Sequence, residues 1–245
     1  VQFTTSIPRY VFGKLAGRLH PSAYIGPLSC LQYREMPEPS LPGPDWVRIR
    51  TRYGGICGSD LGTIRLHTSP ILSSFTSQTF TLGHEQVGTI VEKGSGIVEL
   101  SLGQRVTVDP VLPCAARGID PPCDACQAEE YSRCRNLAEG GLAPGLMTGF
   151  CEDTGGSWSK SFVAHRSQVF PIPPGVSDEN AILIDAFCAA LHPIMRCFPK
   201  DDETVLIIGS GSIGICAVAA LRVLGSRAWV IVLARYPFQG EAARR

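Results

Sequence analysis

The seventeen residues VLIIGSGSIGICAVAAL, Val205 to Leu221, constrain the fold more than any other stretch. They carry no charge over nearly the length, about 18–20 residues, at which a membrane span becomes conceivable. Three glycines and two serines crowd the first half, where they would weaken a helix but suit a strand, a turn and a buried helix. The reading is therefore a strand from Val205 to Ile208, a glycine turn, a helix, and a second strand in AWVIVLAR: the opening of a βαβ unit. In that context GSGSIG, made of Gly209, Ser210, Gly211, Ser212, Ile213 and Gly214, reads as a dinucleotide-binding turn. Its glycines permit a tight turn and close backbone approach to a pyrophosphate, which the helix N-terminus attracts. About 20 residues past the last glycine, where a carboxylate would take a ribose 2′-hydroxyl, the chain has Ala234 and then Arg235. That pair favours NADP, with NAD as the alternative.

Upstream the pattern is different. The first 45 residues are rich in proline and turn signals. From DWVRIRTRY the chain alternates, with Val47, Ile49 and Thr51 on one face and Arg48, Arg50 and Arg52 on the other, as in a half-buried strand. QVGTIVEKG and GQRVTVDP repeat this character, so the first 175 residues read as mainly β with long loops. One loop, LHTSPILSSFTSQTFTLG, is expected to line a substrate entrance. Pro173-Pro174-Gly175 punctuates, and Ser177 or Asp178 is expected to cap a helix running through Ala181 to Phe198. The predicted organisation is an α/β chain of two domains, 1–175 and 176–245.

With 44% hydrophobic and 18% charged residues the chain reads as globular. Lysine plus arginine equal aspartate plus glutamate at 22 each, so no net field draws it to nucleic acid or anionic lipid. Neither is expected as a partner. Of ten cysteines, Cys30, Cys188, Cys197 and Cys216 sit in apolar sequence and are expected to be buried small hydrophobes. No basic start followed by an apolar core precedes Gly13, which points to a reducing, cytoplasmic setting.

Four other cysteines, Cys114, Cys123, Cys126 and Cys134, follow C-x8-C-x2-C-x7-C in a polar, proline-rich loop. Thiolates at such spacing can grip one tetrahedral ion and leave no open position, so a structural zinc is expected over two disulfides or free thiols. Cys57, in GGICGSD, fits a metal ligand, a nucleophile or a tight turn. A catalytic zinc takes three protein ligands, often mixing cysteine and histidine. His84 and Glu85 of GHE are candidates, though spacing alone does not link them to Cys57.

Together these features resemble the zinc-dependent alcohol dehydrogenases of the medium-chain dehydrogenase/reductase family. GHEQVGTIVEKGSGI fits that family's signature G-H-E-x2-G-x5-[GA]-x2-[IVSAC] at Gly83, His84, Glu85, Gly88, Gly94 and Ile97, and GICGSD looks like its first zinc-ligand turn. The resemblance implies a GroES-like β-rich catalytic domain followed by the first part of a Rossmann dinucleotide-binding domain. It implies Cys57 and His84 as catalytic zinc ligands, Glu85 as a carboxylate that exchanges onto the metal, and Asp60 as the partner orienting His84. Asp185, in DAFCAALH, falls where many bacterial relatives have a ligand glutamate, with Cys188 a lower-ranked competitor. Ser59 matches a proton-relaying hydroxyl, whereas the relay histidine of some relatives is Gly62 here. The family's usual C-x2-C-x2-C-x7-C is kept from Cys123 onward, while Cys114 stands further off. The implied activity interconverts an alcohol or polyol and its carbonyl by hydride transfer with NAD(P), in a homodimer or homotetramer if full length. A sorbitol- or threonine-type dehydrogenase and a truncated, non-catalytic zinc-binding relative are the alternatives. The start at Val1 and the end at Arg245, in a helix after the second strand of the βαβ unit, suggest a piece of a longer reading frame.

Overall fold

A computed structural model of the chain describes residues 1–67 and 75–244. Residues 68–74, the middle of the expected entrance loop, lie outside the described residues. The chain divides into two compact units, Val1–Ile182 and Leu183–Arg245.

The first unit is built on two antiparallel sheets. Strands β1 (Gln2–Thr4), β2 (Leu31–Gln32) and β4 (Thr79–Thr81) form one, in the order β2-β1-β4. The other has the order β7-β3-β5-β6-β8, from β3 (Trp46–Gly54), β5 (Gln86–Lys93), β6 (Arg105–Val108), β7 (Ser161–His165) and β8 (Val169–Pro171). The alternation read in β3 holds: Val47 and Ile49 are buried, and Arg50 and Arg52 are exposed. Burying one face of each strand gives a core of Val47, Ile49, Ile90, Val106, Phe162 and Val169 with their neighbours. Register shifts in the β3–β5 pairing fall between Arg48 and Ile49 and between Thr51 and Tyr53, just before the Cys57 turn.

The proline-rich opening is not all turn. Helix α1 (Ile7–Ala16) begins with Pro8 in its first turn, where a missing N–H costs nothing. It docks on a second cluster formed by Phe3, Leu66, Phe80, Leu82 and Phe150. Two short helices, α2 (Gly58–Ile64) and α3 (Asp124–Gln127), each follow a site cysteine.

The helix expected after Ser177 or Asp178 and through Ala181 to Phe198 is two helices. Ser177 caps α4 (Asp178–Ala181), accepting from the Asn180 amide, and α5 (Ile184–Arg196) follows after Ile182 and Leu183. Long-range ion pairs explain the break. The buried Asp178 carboxylate binds Arg52 Nε at 2.6 Å and Arg105 Nη2 at 2.6 Å, which fixes α4 to the five-stranded sheet. Tyr53 also donates to Glu179 at 2.7 Å.

The second unit holds a parallel pair, β9 (Thr204–Ile208) and β10 (Trp229–Leu233), joined by α6 (Ser212–Val223) and followed by α7 (Pro237–Arg244). Val205–Leu221 is thus strand, turn and helix, and no helix among the described residues is long and apolar enough to cross a membrane. Helix α5 packs on α6, and Ala186, Ala190, Ala220 and Leu221 are buried. Leu206, Ile208, Ile231 and Leu233 of the strands remain exposed. The expectation for the apolar-context cysteines needs correction. Cys30 is buried, but Cys216 is only partly so, and Cys188 and Cys197 are exposed, because a two-stranded sheet offers these helices little to pack against. No disulfide joins any of the ten cysteines.

Candidate functional site

The turn that opened by β3 places Cys57 at the N-cap of α2. Asp60, three residues on, reaches back and accepts from the Cys57 amide at 3.0 Å, which ties the thiol's backbone to the carboxylate. The other Asp60 oxygen faces His84 Nδ1 at 3.4 Å. Both atoms are buried without a well-aligned hydrogen bond, so this contact is the one each has available. With Nδ1 turned to Asp60, His84 Nε2 lies 3.4 Å from Ser59 Oγ. Burial disfavours a charged imidazole here, yet the Asp60 carboxylate and then the Cys57 sulfur outweigh it and raise the His84 pKa to about 9.

His84 is aimed by its neighbours in sequence and in space. Gly83 has φ +98°, a left-handed conformation in which a side chain would also collide with Ser157 and Trp158. Trp158 Nε1 donates to the Gly55 carbonyl at 2.9 Å, and Ser157 Oγ to the Glu85 carbonyl at 2.9 Å. The Phe150 ring lies against the imidazole, with centroids 5.7 Å apart. Sequence reading missed these three supports because each acts across more than sixty residues. Cys57, Ser59, Asp60 and His84 are therefore brought together. Glu85 is half-buried beside Gly55, where no side chain would fit. Asp185 lies in the second unit, in the first turn of α5.

The second constellation is closed. The ligand atoms of Cys114, Cys123, Cys126 and Cys134 all lie within 4.8 Å of one another, the one such group found among the described residues. Cys114 Sγ and Cys134 Sγ are 3.7 Å apart. A tetrahedral ion with metal–sulfur bonds of about 2.3 Å needs sulfurs roughly 3.8 Å apart, so the donor set fits zinc. The Cys123 amide at 3.3 Å and Asn136 Nδ2 at 3.1 Å both point at Cys114 Sγ, donors suited to a thiolate. Backbone N–H groups of Arg135 and Cys126 hold the Cys123 thiol down to about 6, while burial pushes Cys126 up to about 12. Asn136 carried no signal beyond its place two residues after Cys134.

Arg117 is another residue the sequence did not flag. Its side chain is buried and its guanidinium donates to the carbonyls of Glu139, Leu142, Ala143 and Gly145. It pins the returning chain onto the cysteine lobe.

In the second unit the glycine turn joins β9 to α6. Gly209 has φ +102°, Gly211 is the N-cap of α6, and a Cβ on Gly214 would strike the Gly209 carbonyl. Ser210 Oγ donates to the Gln239 carbonyl at 2.9 Å, and Ser212 and Ile213 open the helix. Ala234 and Arg235 directly follow β10, and the Arg235 guanidinium lies 5.4 Å from the Tyr236 ring centroid.

Compared with known families, residues 43–174 match the model of the alcohol dehydrogenase GroES-like domain. The chain belongs to this family. Among its relatives are sorbitol dehydrogenase of Bacillus subtilis (strain 168), 30% identical over 86% of this chain and 56% of that one. L-idonate 5-dehydrogenase of Vitis vinifera is 29% identical over 91% of this chain and 56% of that one. A solved dehydrogenase from Sinorhizobium meliloti 1021, assigned as zinc-binding and bound to NADP, is 28% identical with a TM-score of 0.70, covering 87% of this chain and 55% of that one. This GroES-like chain therefore spans about half the length of the curated relatives it matches. Its fold is a β-rich GroES-like part followed by the opening of a Rossmann sheet.

Proposed function

We propose that the chain is the GroES-like half, with the opening of the dinucleotide domain, of a zinc-dependent oxidoreductase. It would interconvert a polyol or secondary alcohol and its ketone with NAD(P). The observation that carries the reading is His84, with Nδ1 turned to the buried Asp60 and Nε2 beside Ser59, in a cluster that includes Cys57. A sulfur and an imidazole nitrogen suit zinc, and a carboxylate behind the imidazole is the usual means of fixing its tautomer. Glu85, in the same unit, would complete the donor set, and Cys114, Cys123, Cys126 and Cys134 would hold a structural zinc. Sorbitol and L-idonate dehydrogenases among the relatives favour a polyol or sugar-acid substrate over a simple alcohol.

Bound at Cys57 and His84, zinc would supply the Lewis acidity that makes an alcohol easier to deprotonate. The dinucleotide would supply the hydride acceptor. The chain's own residues would do the rest. Asp60 would keep the proton on His84 Nδ1, leaving Nε2 as the donor. Ser59 Oγ would relay the substrate proton, accepting it as its own hydroxyl proton passes to water, since Ser59 is exposed and position 62 is glycine, not histidine. Backbone N–H groups at the start of α6 would receive the pyrophosphate. Arg235, with alanine at 234, would accept a 2′-phosphate, which favours NADP.

The test is zinc content together with a panel of polyols and alcohols assayed with NAD and NADP. About two zinc ions per chain are expected, with Cys57→Ser removing one and all turnover while leaving the other. A wild-type chain that holds one zinc, insensitive to Cys57→Ser, would mark it as a non-catalytic relative.

A further inference from the structure

Helix α1 turns the wrong face outward for an ordinary surface helix. It is docked through its small side. Gly13 lies against Leu66, where a Cβ would come within 2.6 Å of Leu66 Cδ1, and Gly17 lies against Tyr24. The Tyr10 hydroxyl donates to the Leu66 carbonyl at 3.1 Å, fixing the helix's rotation. The opposite stripe, Ile7, Val11 and Leu15 at i, i+4 and i+8, is therefore left in solvent at 74%, 50% and 68% exposure. Phe12 widens it, and Leu19, just past the helix, is 78% exposed. Single exposed apolar residues need no explanation, but a continuous stripe on a helix that is already docked does.

The charge around the stripe is one-sided. Residues 1–34 contain Arg9, Lys14, Arg18 and Arg34 and no aspartate or glutamate. Lys14 flanks the stripe over the Tyr10 ring, 5.6 Å from its centroid, and Arg18 is exposed beyond the last turn. Although the chain as a whole has no net charge, an apolar helix face flanked by Lys14 and Arg18, in a segment whose sequence holds no acidic residue, matches an anionic lipid surface. The side chains enter the acyl boundary and the cations meet headgroup phosphates and carboxylates. We propose that this outward face of α1 is a peripheral docking surface for anionic membrane, one that lies on the bilayer without crossing it.

Co-sedimentation of the full chain with vesicles of phosphatidylcholine alone, and with phosphatidylserine added, reads the proposal. The chain is expected to sediment with the mixed vesicles, weakly with the neutral ones, and less as salt rises. Val11→Glu with Leu15→Glu should abolish binding. Lys14→Gln with Arg18→Gln should weaken it roughly thirtyfold, from the usual contribution of a basic residue at a charged bilayer. Because Val11 and Leu15 face solvent, their double variant should keep the wild-type melting temperature and zinc content. A chain that stays in solution with mixed vesicles, or a Val11/Leu15 variant that sediments like wild type, overturns the proposal. A wild-type dimer that this variant splits, without vesicle binding, assigns the face to a second copy and overturns it equally.

Discussion

At His84 a buried imidazole faces a buried carboxylate, and in the metal-free chain that pairing keeps the ring protonated to about pH 9. A raised histidine pKa stabilises the fold fully below the unfolded value, 6.5, and the stabilisation is lost as pH climbs through about 9. Denaturant titration of the metal-stripped chain between about pH 6 and about pH 10 should show that fall. Asp60→Asn should flatten it. With zinc supplied, Asp60→Ala should cost about 10–100-fold in affinity at the Cys57 site, because an imidazole without its partner is neither aimed nor made more basic. Equilibrium dialysis measures this. Cys57, Ser59 and Asp60 were legible through the resemblance of GICGSD to a family motif, which one turn of α2 carries whole. Phe150, Ser157 and Trp158 were not, since nothing near them in the chain shows that they converge on Gly55 and His84.

Elements whose side chains alternate between core and solvent could be read directly: β3, β5 and β6 lie where their patterns put them. The β9–turn–α6 unit was legible for another reason, its glycines being required by contacts within the same few residues. Gly214→Ala should push α6 away from the Gly209 carbonyl, at a cost of about 1–3 kcal/mol as overpacking. It should weaken binding of the proposed dinucleotide, and thermal melts with fluorescence titration check both effects. Helix α1 had a signal that went unused, proline in the first turn and apolar residues four apart, masked by the turn-rich composition around it. The division between α4 and α5 had none, because Arg52 and Arg105 impose it from far upstream. Burial works against the Asp178 charge, but its hydrogen bonds to those arginines prevail and hold the carboxyl below its usual range. That stabilisation is present above pH 3.8 and lost as pH falls through the lower folded value. Asp178→Ala should cost about 1–2 kcal/mol near neutrality, limited by the water around Arg52, as denaturant melts would report.

At the scale of the molecule the two units depend on different things. The first has two sheets, three apolar clusters and a four-cysteine lobe; the second has a two-stranded sheet with an exposed face. Chelating the zinc proposed for the four cysteines should expose the Cys114–Cys134 loop to protease while the five-stranded sheet survives, since the loop's short helices have little apolar support of their own. Limited proteolysis with mass spectrometry would locate the cut. The first unit is also far from electrically even. Its opening 34 residues hold four cationic side chains and no acidic ones, and the rest of it, 35–182, holds eleven cationic and seventeen acidic. A total close to balance, fifteen cationic against seventeen acidic, therefore conceals a permanent dipole. In an external field such a body experiences little pull but a definite torque, so it turns before it moves. Near an anionic surface its first response would be orientation, with the α1 end leading.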